Sequence, residues 1–288
     1  MSKTKIFKHK NFSLRYAAWG DPTHTPILFF HGFPGSHVQA RGLLPFLEQH
    51  KIFLIAADRP GYGETVGRGS PLEYLDDLKY LLTYLNVPRF HILGISGGSP
   101  WAHLMASRFS KDIESLVVVC GLSPYNSVTK EYFTPFQQRG LMIGRWFPVP
   151  AAHWLVNKAL RNFNPNERLK TFIAMLDEAD RNILSNPANR GLMLASMAEA
   201  RRQGPKGIVN DAKLYHQDWL SKYCDTDSLR KIPTVYYHGR RDFLLDHRMS
   251  KWMHEKHGNA ELTLFDDEGH YSLPFQRANE ILQKIKRG

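Results

Sequence analysis

Short, β-branched apolar runs alternate with amphipathic stretches along the first 120 residues of the chain. Such alternation is typical of βα units that build a mostly parallel sheet, and glycine, proline and aspartate mark the boundaries. The predicted strands are Phe12–Trp19, Pro26–His31, Ile52–Ala57, Phe90–Ile95 and Ile113–Cys120. The predicted helices between them are Ser36–His50, Leu72–Leu85 and Gly97–Phe109.

The alternation stops after Gly121, and residues 122–230 carry helix-like, proline-punctuated stretches without a convincing strand. Strand-like runs, each followed by an amphipathic stretch, return after that segment. The later predicted elements are the helices Arg168–Leu184, Leu192–Arg202, Arg248–His257 and Pro274–Lys286 and the strands Thr234–His238 and Ala260–Phe265. The pattern predicts an α/β core of residues 1–121 and 231–288, with a mostly parallel central sheet flanked by helices and a helical cap inserted at 122–230.

The composition is that of a soluble globular protein. Of the 288 residues, 42% are hydrophobic and 23% are charged, values that fit neither a disordered nor a fibrous protein. The lysine-rich start lacks the apolar stretch of a secretory leader, and no run reaches the roughly eighteen apolar residues of a membrane span. Two cysteines, Cys120 and Cys224, do not indicate a disulfide scaffold. We expect a cytoplasmic protein without stable membrane insertion.

A formal net charge of +11 raises the question of an anionic partner, because a basic surface attracts nucleic acid and anionic lipid. The lysines and arginines are dispersed along the chain, and no nucleic-acid-binding motif accompanies them. We therefore expect no nucleic-acid partner, and the charge by itself assigns no function.

The pentapeptide Gly94-Ile95-Ser96-Gly97-Gly98 is the strongest chemical signal in the chain. It closes an apolar strand and opens a run of small residues that predicts the start of a helix. A serine at a tight strand-to-helix turn needs small neighbours, because bulky side chains would clash there. This G-x-S-x-G context predicts that Ser96 is a nucleophile, and an ordinary glycine-rich turn is the alternative.

A loop at His31–Ser36 follows another predicted strand at the same carboxyl edge of the sheet. Ligands of open α/β sheets bind at this edge, where backbone N–H groups can point at a developing oxyanion. We predict the amides of Phe33 and Gly97 as the donors of an oxyanion hole, Gly97 being the residue after the nucleophile. The side chain of His31 is interpreted as a packed histidine that braces the loop.

A serine hydroxyl is a weak nucleophile until a base removes its proton, and the base needs an acid partner. His270 follows the last predicted strand and Asp242 follows Thr234–His238, so both lie at the carboxyl edge of the sheet. The chain order of serine, acid and histidine fits this architecture. We therefore predict that Ser96, His270 and Asp242 form a catalytic triad, with Asp246 as the fallback acid.

Cofactor and metal motifs are not supported by the sequence. The turn Asp58–Gly63 carries two glycines but lacks the G-x-G-x-x-G spacing of a dinucleotide site, and no Walker pattern occurs. The segment His254–His257 has the wrong spacing for an H-E-x-x-H zinc site. We therefore predict neither a cofactor nor a bound metal.

Together these motifs resemble those of the α/β-hydrolase superfamily, in its serine-nucleophile, helical-cap subgroup, over essentially the whole chain. The matching motifs fall in the family's order: H-G-x-P at His31–Pro34, D-x-x-G-x-G at Asp58–Gly63, the elbow at Ser96, G-x-x-D at Gly239–Asp242 and G-H at Gly269–His270. The resemblance implies the α/β-hydrolase fold. Haloalkane dehalogenases and epoxide hydrolases carry aspartate at the elbow, and proline iminopeptidases differ at Phe33 and Gly97, so these activities are disfavoured.

The resemblance and the candidate residues predict a serine hydrolase that cleaves an ester-like carbonyl substrate through an acyl-enzyme intermediate. Seven aromatic residues are candidates either for the roof of an apolar pocket or for the core of the cap: Phe133, Phe136, Trp146, Phe147, Trp154, Tyr215 and Trp219. The predicted substrate is a small-molecule, mostly apolar acyl compound. The same triad serves C–C bond hydrolases, lactonases and peroxide-using relatives, and a non-catalytic ligand-binding or receptor-like protein is the alternative of another class.

Overall fold

The computed structural model describes residues 4–67, 69–146, 149–161 and 165–287 and centres on an eight-stranded sheet. The strands are β1 (Lys5–His9), β2 (Phe12–Trp19), β3 (Thr25–Phe30), β4 (Ile52–Ala57), β5 (Phe90–Ile95), β6 (Ile113–Val119), β7 (Thr234–Gly239) and β8 (Ala260–Phe265). Their order across the sheet is β1-β2-β4-β3-β5-β6-β7-β8. All pairs from β4 to β8 are parallel, whereas β1 pairs antiparallel with β2 and β2 with β4. The prediction of a mostly parallel sheet is confirmed.

The edge strand β1 is missing from the sequence prediction, which starts the sheet one strand too late. It pairs with β2 in a register that runs from Lys5 opposite Tyr16 to His9 opposite Phe12. Its residues are exposed or half-buried, so they do not show the alternation of buried positions that marks a half-covered strand. Lysine side chains on an edge strand also discourage pairing with another chain.

Helices cover both faces of the sheet and bury an apolar layer on each. The helices of this core are α1 (Leu47–His50), α2 (Pro71–Tyr84), α3 (Ser99–Arg108), α12 (Arg248–His257), α13 (Ser272–Gln276) and α14 (Ala278–Arg287). Residues of α2, α3 and α12 pack on one face, and residues of α1 and α14 pack on the other. Because both faces are covered, the central strands are mostly apolar, and every residue of β4 is buried.

Two helices of this core are less continuous than predicted. The predicted helix Ser36–His50 is a 3₁₀ helix, His37–Phe46, followed by α1. Pro45 lies inside it and lacks the N–H that a continuous α-helix requires. The predicted helix Pro274–Lys286 is interrupted at Arg277, between α13 and α14.

The segment between β6 and β7 is mostly helical over its described residues. Its helices are α4 (Pro135–Trp146), α5 (Val149–Arg161), α6 (Pro165–Met175), α7 (Glu178–Ser185), α8 (Pro187–Ala200), α9 (Lys206–Tyr215), α10 (Trp219–Tyr223) and α11 (Thr226–Leu229). The predicted helix Arg168–Leu184 is divided between α6 and α7, because the Asp177 side chain accepts the Ala179 N–H and starts a new helix. The division into a core and a separate cap stays a prediction. Within the described ranges, no helix has both the length and the apolar character needed to cross a membrane.

Candidate active site

Ser96 lies at the turn between β5 and a short 3₁₀ helix that leads into α3. Its φ is +53°, in the left-handed region that a residue with a side chain enters at a cost of about 1–2 kcal/mol. A Cβ on Gly94 would lie 2.7 Å from the Cβ of Ala102, and a Cβ on Gly98 would overlap the carbonyl oxygen of Phe30. The glycines therefore permit the tight turn that presents Ser96 at the carboxyl end of β5.

The three residues of the predicted triad form one hydrogen-bonded array. Nε2 of His270 lies 3.0 Å from Oγ of Ser96, and Nδ1 of His270 lies 2.7 Å from Oδ2 of Asp242. The residues follow three different strands of the sheet, namely β5, β7 and β8. Ser96 and His270 are only 8% and 6% exposed. This geometry suits transfer of the serine proton to one ring nitrogen while a carboxylate faces the other.

Asp242 is held in place by other groups besides His270. Its Oδ1 accepts the N–H groups of Leu244 and Leu245, both at 2.8 Å, and its Oδ2 lies 3.1 Å from Nε2 of His238. Burial would raise the pKa of Asp242, but the nearby His270 and the hydrogen bonds from His238 and His270 lower the pKa well below its ordinary value. Asp242 is therefore ionised at neutral pH.

The pKa of His270 is shifted in the opposite sense. Burial would lower this pKa, but the charge and the hydrogen bond of Asp242, together with the charge of Asp180, raise the pKa above its ordinary value. A protonated His270 is thus stabilised by two carboxylates. Such an imidazolium is the species that forms when a histidine removes a proton from a serine.

The loop after β3 approaches Ser96 closely. A Cβ on Gly32 would lie 3.4 Å from the Cβ of Ser96, and a Cβ on Gly97 would lie 3.2 Å from the backbone nitrogen of Phe33. The Gly32 N–H donates to Oε1 of Gln39 at 2.7 Å and so ties the loop to the helix that follows it. Phe33 and Gly97 therefore meet beside Ser96, and their role toward an oxyanion stays a prediction.

An arginine that the sequence analysis did not single out holds this loop from behind. Arg59 is fully buried, and its guanidinium donates to the carbonyl oxygens of His31 and Gly32, the latter at 3.3 Å. The same guanidinium pairs with Asp211 of α9, with Nη2 2.6 Å from Oδ2. Arg59 stands just after β4, at the carboxyl edge of the sheet, and that position is the signal that could have identified it.

Helix α9 also reaches the other predicted donor residue. The Tyr215 hydroxyl donates to the carbonyl oxygen of Gly97, and its ring packs edge-on against Phe33 with 5.6 Å between centroids. Tyr215 is buried. The helical segment therefore contacts the loops on both sides of Ser96.

Asp180 of α7 is a second residue that sequence reasoning missed. Its carboxylate accepts backbone N–H groups from the loop that carries His270. The two residues are 90 positions apart in the chain, and an aspartate on an amphipathic helix normally faces solvent. The sequence therefore carries no signal for this contact.

Two other candidate side chains do not join the array. Asp246, the fallback acid, accepts the Arg248 N–H at 2.9 Å at the start of α12 and pairs with the guanidinium of the same residue. His31 is fully buried, with Nδ1 2.9 Å from the Gly32 carbonyl oxygen and Nε2 3.4 Å from the backbone nitrogen of Arg59. The ring nitrogens of His31 thus contact its own loop and the backbone after β4.

A cysteine lies close to the array. Ligand atoms of Cys120, Asp242 and His270 lie within 4.8 Å of one another. Burial, with the charge of Asp242, raises the pKa of the Cys120 thiol, so the thiol keeps its proton at neutral pH. Asp242 and His270 in this group are hydrogen-bonded to each other.

The seven aromatic candidates separate by exposure. Phe133, Tyr215 and Trp219 are buried, whereas Phe136, Trp146 and Trp154 are 85%, 66% and 61% exposed. Phe147 lies outside the described residues. Tyr215 contacts the loops beside Ser96, so it is the member of this set whose contacts bear on the candidate site.

A family model described as the alpha/beta hydrolase fold matches residues 25–276 of the chain. The match includes the sheet from β3 to β8, the turn at Ser96 and the loop at His270. The chain therefore belongs to the α/β hydrolase fold family. The predictions of that family, of its fold class and of a hydrolase are confirmed.

Individual relatives are distant in sequence. A monoacylglycerol lipase of Homo sapiens is 23% identical over 98% of this chain and 81% of its own length. A bromoperoxidase structure from Bacillus anthracis aligns over 100% of both chains with a TM-score of 0.71 and 20% identity. A thermophilic esterase from Thermogutta terrifontis aligns over 100% of this chain and 97% of its own, with a TM-score of 0.68 and 17% identity. At these identities the structural likeness shows the fold.

Proposed function

We propose that the protein is a serine-dependent carboxylic ester hydrolase that works through an acyl-enzyme intermediate. The observation that carries this proposal is the array of Ser96, His270 and Asp242, with its distances of 3.0 and 2.7 Å at three strand ends of one sheet. The lipase and the esterase among the relatives support an ester as the substrate class.

In the first half-reaction, Oγ of Ser96 bonds to the carbonyl carbon of the ester while Nε2 of His270 takes the hydroxyl proton. The electron pair of the C=O bond moves to oxygen, and the N–H groups of Phe33 and Gly97 donate to this oxyanion. The C–O bond to the alcohol then breaks, and His270 gives its proton to the departing oxygen. An acyl group remains on Ser96.

In the second half-reaction, His270 removes a proton from water, and the water oxygen attacks the acyl carbon. Collapse of the second oxyanion releases the carboxylic acid, and the proton returns to Oγ of Ser96. Asp242 keeps the Nδ1 proton of His270 in place and stabilises the imidazolium in both halves. Atoms balance as ester plus water giving acid plus alcohol.

The surroundings of Ser96 favour a mostly apolar acyl group. The rings of Phe33 and Tyr215 lie beside the serine, and Phe33 is 38% exposed, so an arriving acyl chain can contact it. We assign the helical segment 122–230 as the cap over this entrance. The predicted cytoplasmic location and the predicted lack of a nucleic-acid partner remain predictions.

The test is hydrolysis of p-nitrophenyl esters, from acetyl to dodecanoyl, by the wild type and by Ser96→Ala. Ser221→Ala is the matched control, because this exposed serine on α10 is replaced in the same way. A fluorophosphonate probe followed by peptide mass mapping locates the modified residue. Circular dichroism establishes that the variants are folded.

The expected result is turnover by the wild type and by Ser221→Ala, none by Ser96→Ala, and probe attachment to Ser96. Full turnover by folded Ser96→Ala would overturn the assignment of the nucleophile. If the wild type labels at Ser96 but cleaves no ester, the ester substrate class is wrong. Lactones, a vinylogous diketone and peroxide with a carboxylic acid then test the relatives that use the same triad.

A further inference from the structure

The carboxylate of Asp180 binds three consecutive backbone N–H groups of the loop after β8. Its Oδ2 accepts the His270 N–H at 2.9 Å, and its Oδ1 accepts those of Tyr271 and Ser272, both at 2.8 Å. Asp180 is fully buried. Burial raises the pKa of Asp180, and the three N–H donors with the nearby His270 offset part of this cost of burying the carboxylate.

The loop is shaped around this carboxylate. A Cβ on Gly269 would overlap Oδ1 of Asp180, so the glycine before the histidine is required by a side chain from α7. The Gly269 N–H donates to Oγ of Ser272 at 2.7 Å, which closes the loop on itself. Asp180 and Ser272 together leave the backbone on either side of His270 little freedom to turn.

The direction of the His270 ring follows from this backbone. The ring must satisfy Ser96 at 3.0 Å and Asp242 at 2.7 Å at the same time. A shift of about 1 Å in such a group typically lowers turnover about a hundredfold. The loop anchor at Asp180 therefore lies where a small displacement has a large chemical effect.

Asp180 also contributes charge. Among the described residues, the titratable groups facing His270 are Asp242 after β7, Asp180 on α7, the thiol of Cys120 after β6 and the phenol of Tyr271, whose ring lies 5.3 Å from the imidazole. The two carboxylates are the groups that favour the protonated ring, Asp242 most strongly. Removing the charge of Asp180 lowers the pKa of His270.

We infer that Asp180 is a positioning residue for the proposed reaction: a carboxylate from the helical segment orients His270 through the backbone and stabilises its protonated form. This inference rests on the proposed function. It also makes the docking of α7 on the core a condition for turnover, because the histidine loop has its anchor on that helix.

The test compares Asp180→Asn and Asp180→Ala with Asp177→Asn. Asp177 lies on the same helix and caps it through the Ala179 N–H, a role that asparagine fills equally well. The variant thus removes one carboxylate at the start of α7 whose hydrogen bond is to its own helix, together with a long ion pair to Arg241 at 3.9 Å. The readouts are kcat and KM per active site titrated with a fluorophosphonate, and the pH profile of kcat/KM.

For Asp180→Asn, which keeps one acceptor oxygen, we expect kcat per titrated site to fall about tenfold with KM nearly unchanged. For Asp180→Ala, kcat per titrated site should fall about a hundredfold. The acidic limb of the kcat/KM profile should move to lower pH in both variants and stay in place in Asp177→Asn. A kcat per site and a pH limb equal to those of the wild type in folded Asp180→Asn would overturn the inference.

Gly269→Ala keeps the result interpretable if the Asp180 variants do not fold. Its new methyl group displaces the carboxylate without removing it, so kcat per site should fall. If Asp180→Ala does fold, adding Gly269→Ala to it should lower kcat per site little further, because the two changes act on one contact. Additive losses would contradict the inference.

A readout without substrate separates this inference from the proposed function. Titration of ¹⁵N-labelled histidines by NMR gives the pKa of His270, which should be lower in Asp180→Asn than in the wild type. If the wild type cleaves no ester but this pKa still falls, the function is wrong and the role of Asp180 in stabilising the protonated ring stands. If esters are cleaved and neither the pKa of His270 nor kcat changes in Asp180→Asn, the proposed function stands and the role of Asp180 is wrong.

Discussion

The buried pair of Arg59 and Asp211 should be the most sensitive contact between the helical segment and the sheet. Asp211→Asn can keep its oxygen as the acceptor for Nε1 of Trp101 and donate from its amide nitrogen to the Tyr62 hydroxyl, but it leaves the Arg59 cation without its counter-charge. Both members of the pair are at most 1% exposed. Because an arginine in a protein does not lose its proton, the unpaired charge stays buried, and the free energy of unfolding should fall by about 3–5 kcal/mol.

The assay is thermal unfolding followed by circular dichroism. With about 2–4 °C lost per kcal/mol, Asp211→Asn should lower Tm by at least about 6 °C. The matched control is Asp76→Asn, because Arg108 and Asp76 form the same two-point pair at the surface, at 2.7 and 2.9 Å. An exposed pair contributes about 1 kcal/mol or less, so this control should change Tm by only a few degrees.

The double variant Arg59→Met with Asp211→Asn, measured beside both single variants, gives the interaction energy of the pair. Removing both charges should restore part of the stability lost in Asp211→Asn, because no unpaired charge then remains buried. A fall in Tm of less than about 2 °C for Asp211→Asn would refute the reasoning. A double variant that loses more stability than the two single variants lose together would also refute it.

Two further predictions concern the array itself. Asp242→Asn retains an acceptor for the Leu244 and Leu245 N–H groups but favours the wrong tautomer of His270. Ester turnover in steady-state kinetics should therefore fall on the order of 10⁴-fold. Circular dichroism should show that the fold is preserved. Because His270 must be neutral to act as a base and its pKa is raised above 6.5, kcat/KM should decline toward acid with a midpoint above pH 6.5. A midpoint below that value would contradict the environment described for this ring.

The residues that could be predicted from the sequence are those with local constraints. Ser96 lies between glycines, and the turn has no room for side chains at their positions. This local requirement can be recognised in the pentapeptide itself. His270 and Asp242 could be placed because they follow strands, and parallel strands bring their carboxyl ends to one edge. The alternation of apolar runs predicted those strands to within a residue or two.

The residues that escaped prediction depend on contacts between distant segments. Asp180 and Asp211 lie on helices of the segment 122–230, and an aspartate on a helix gives no indication of whether it faces water or another part of the fold. Their partners are 90 and 152 positions away. The strand β1 was missed for a different reason, since an exposed edge strand has no buried face to impose a pattern.

The position of β7 between β6 and β8 bears on how the protein is made. Some 115 residues separate the end of β6 from the start of β7, so during synthesis β6 emerges on the order of ten seconds before its partner. Through that interval its apolar strand, Ile113–Val119, is an open edge that can pair with another copy. Ser96 likewise waits for His270, 174 positions later, before it has a base. A chain cut short before β7 should therefore be both inert and prone to aggregate. In the full chain, activity has to wait until β7 and β8 have joined the sheet.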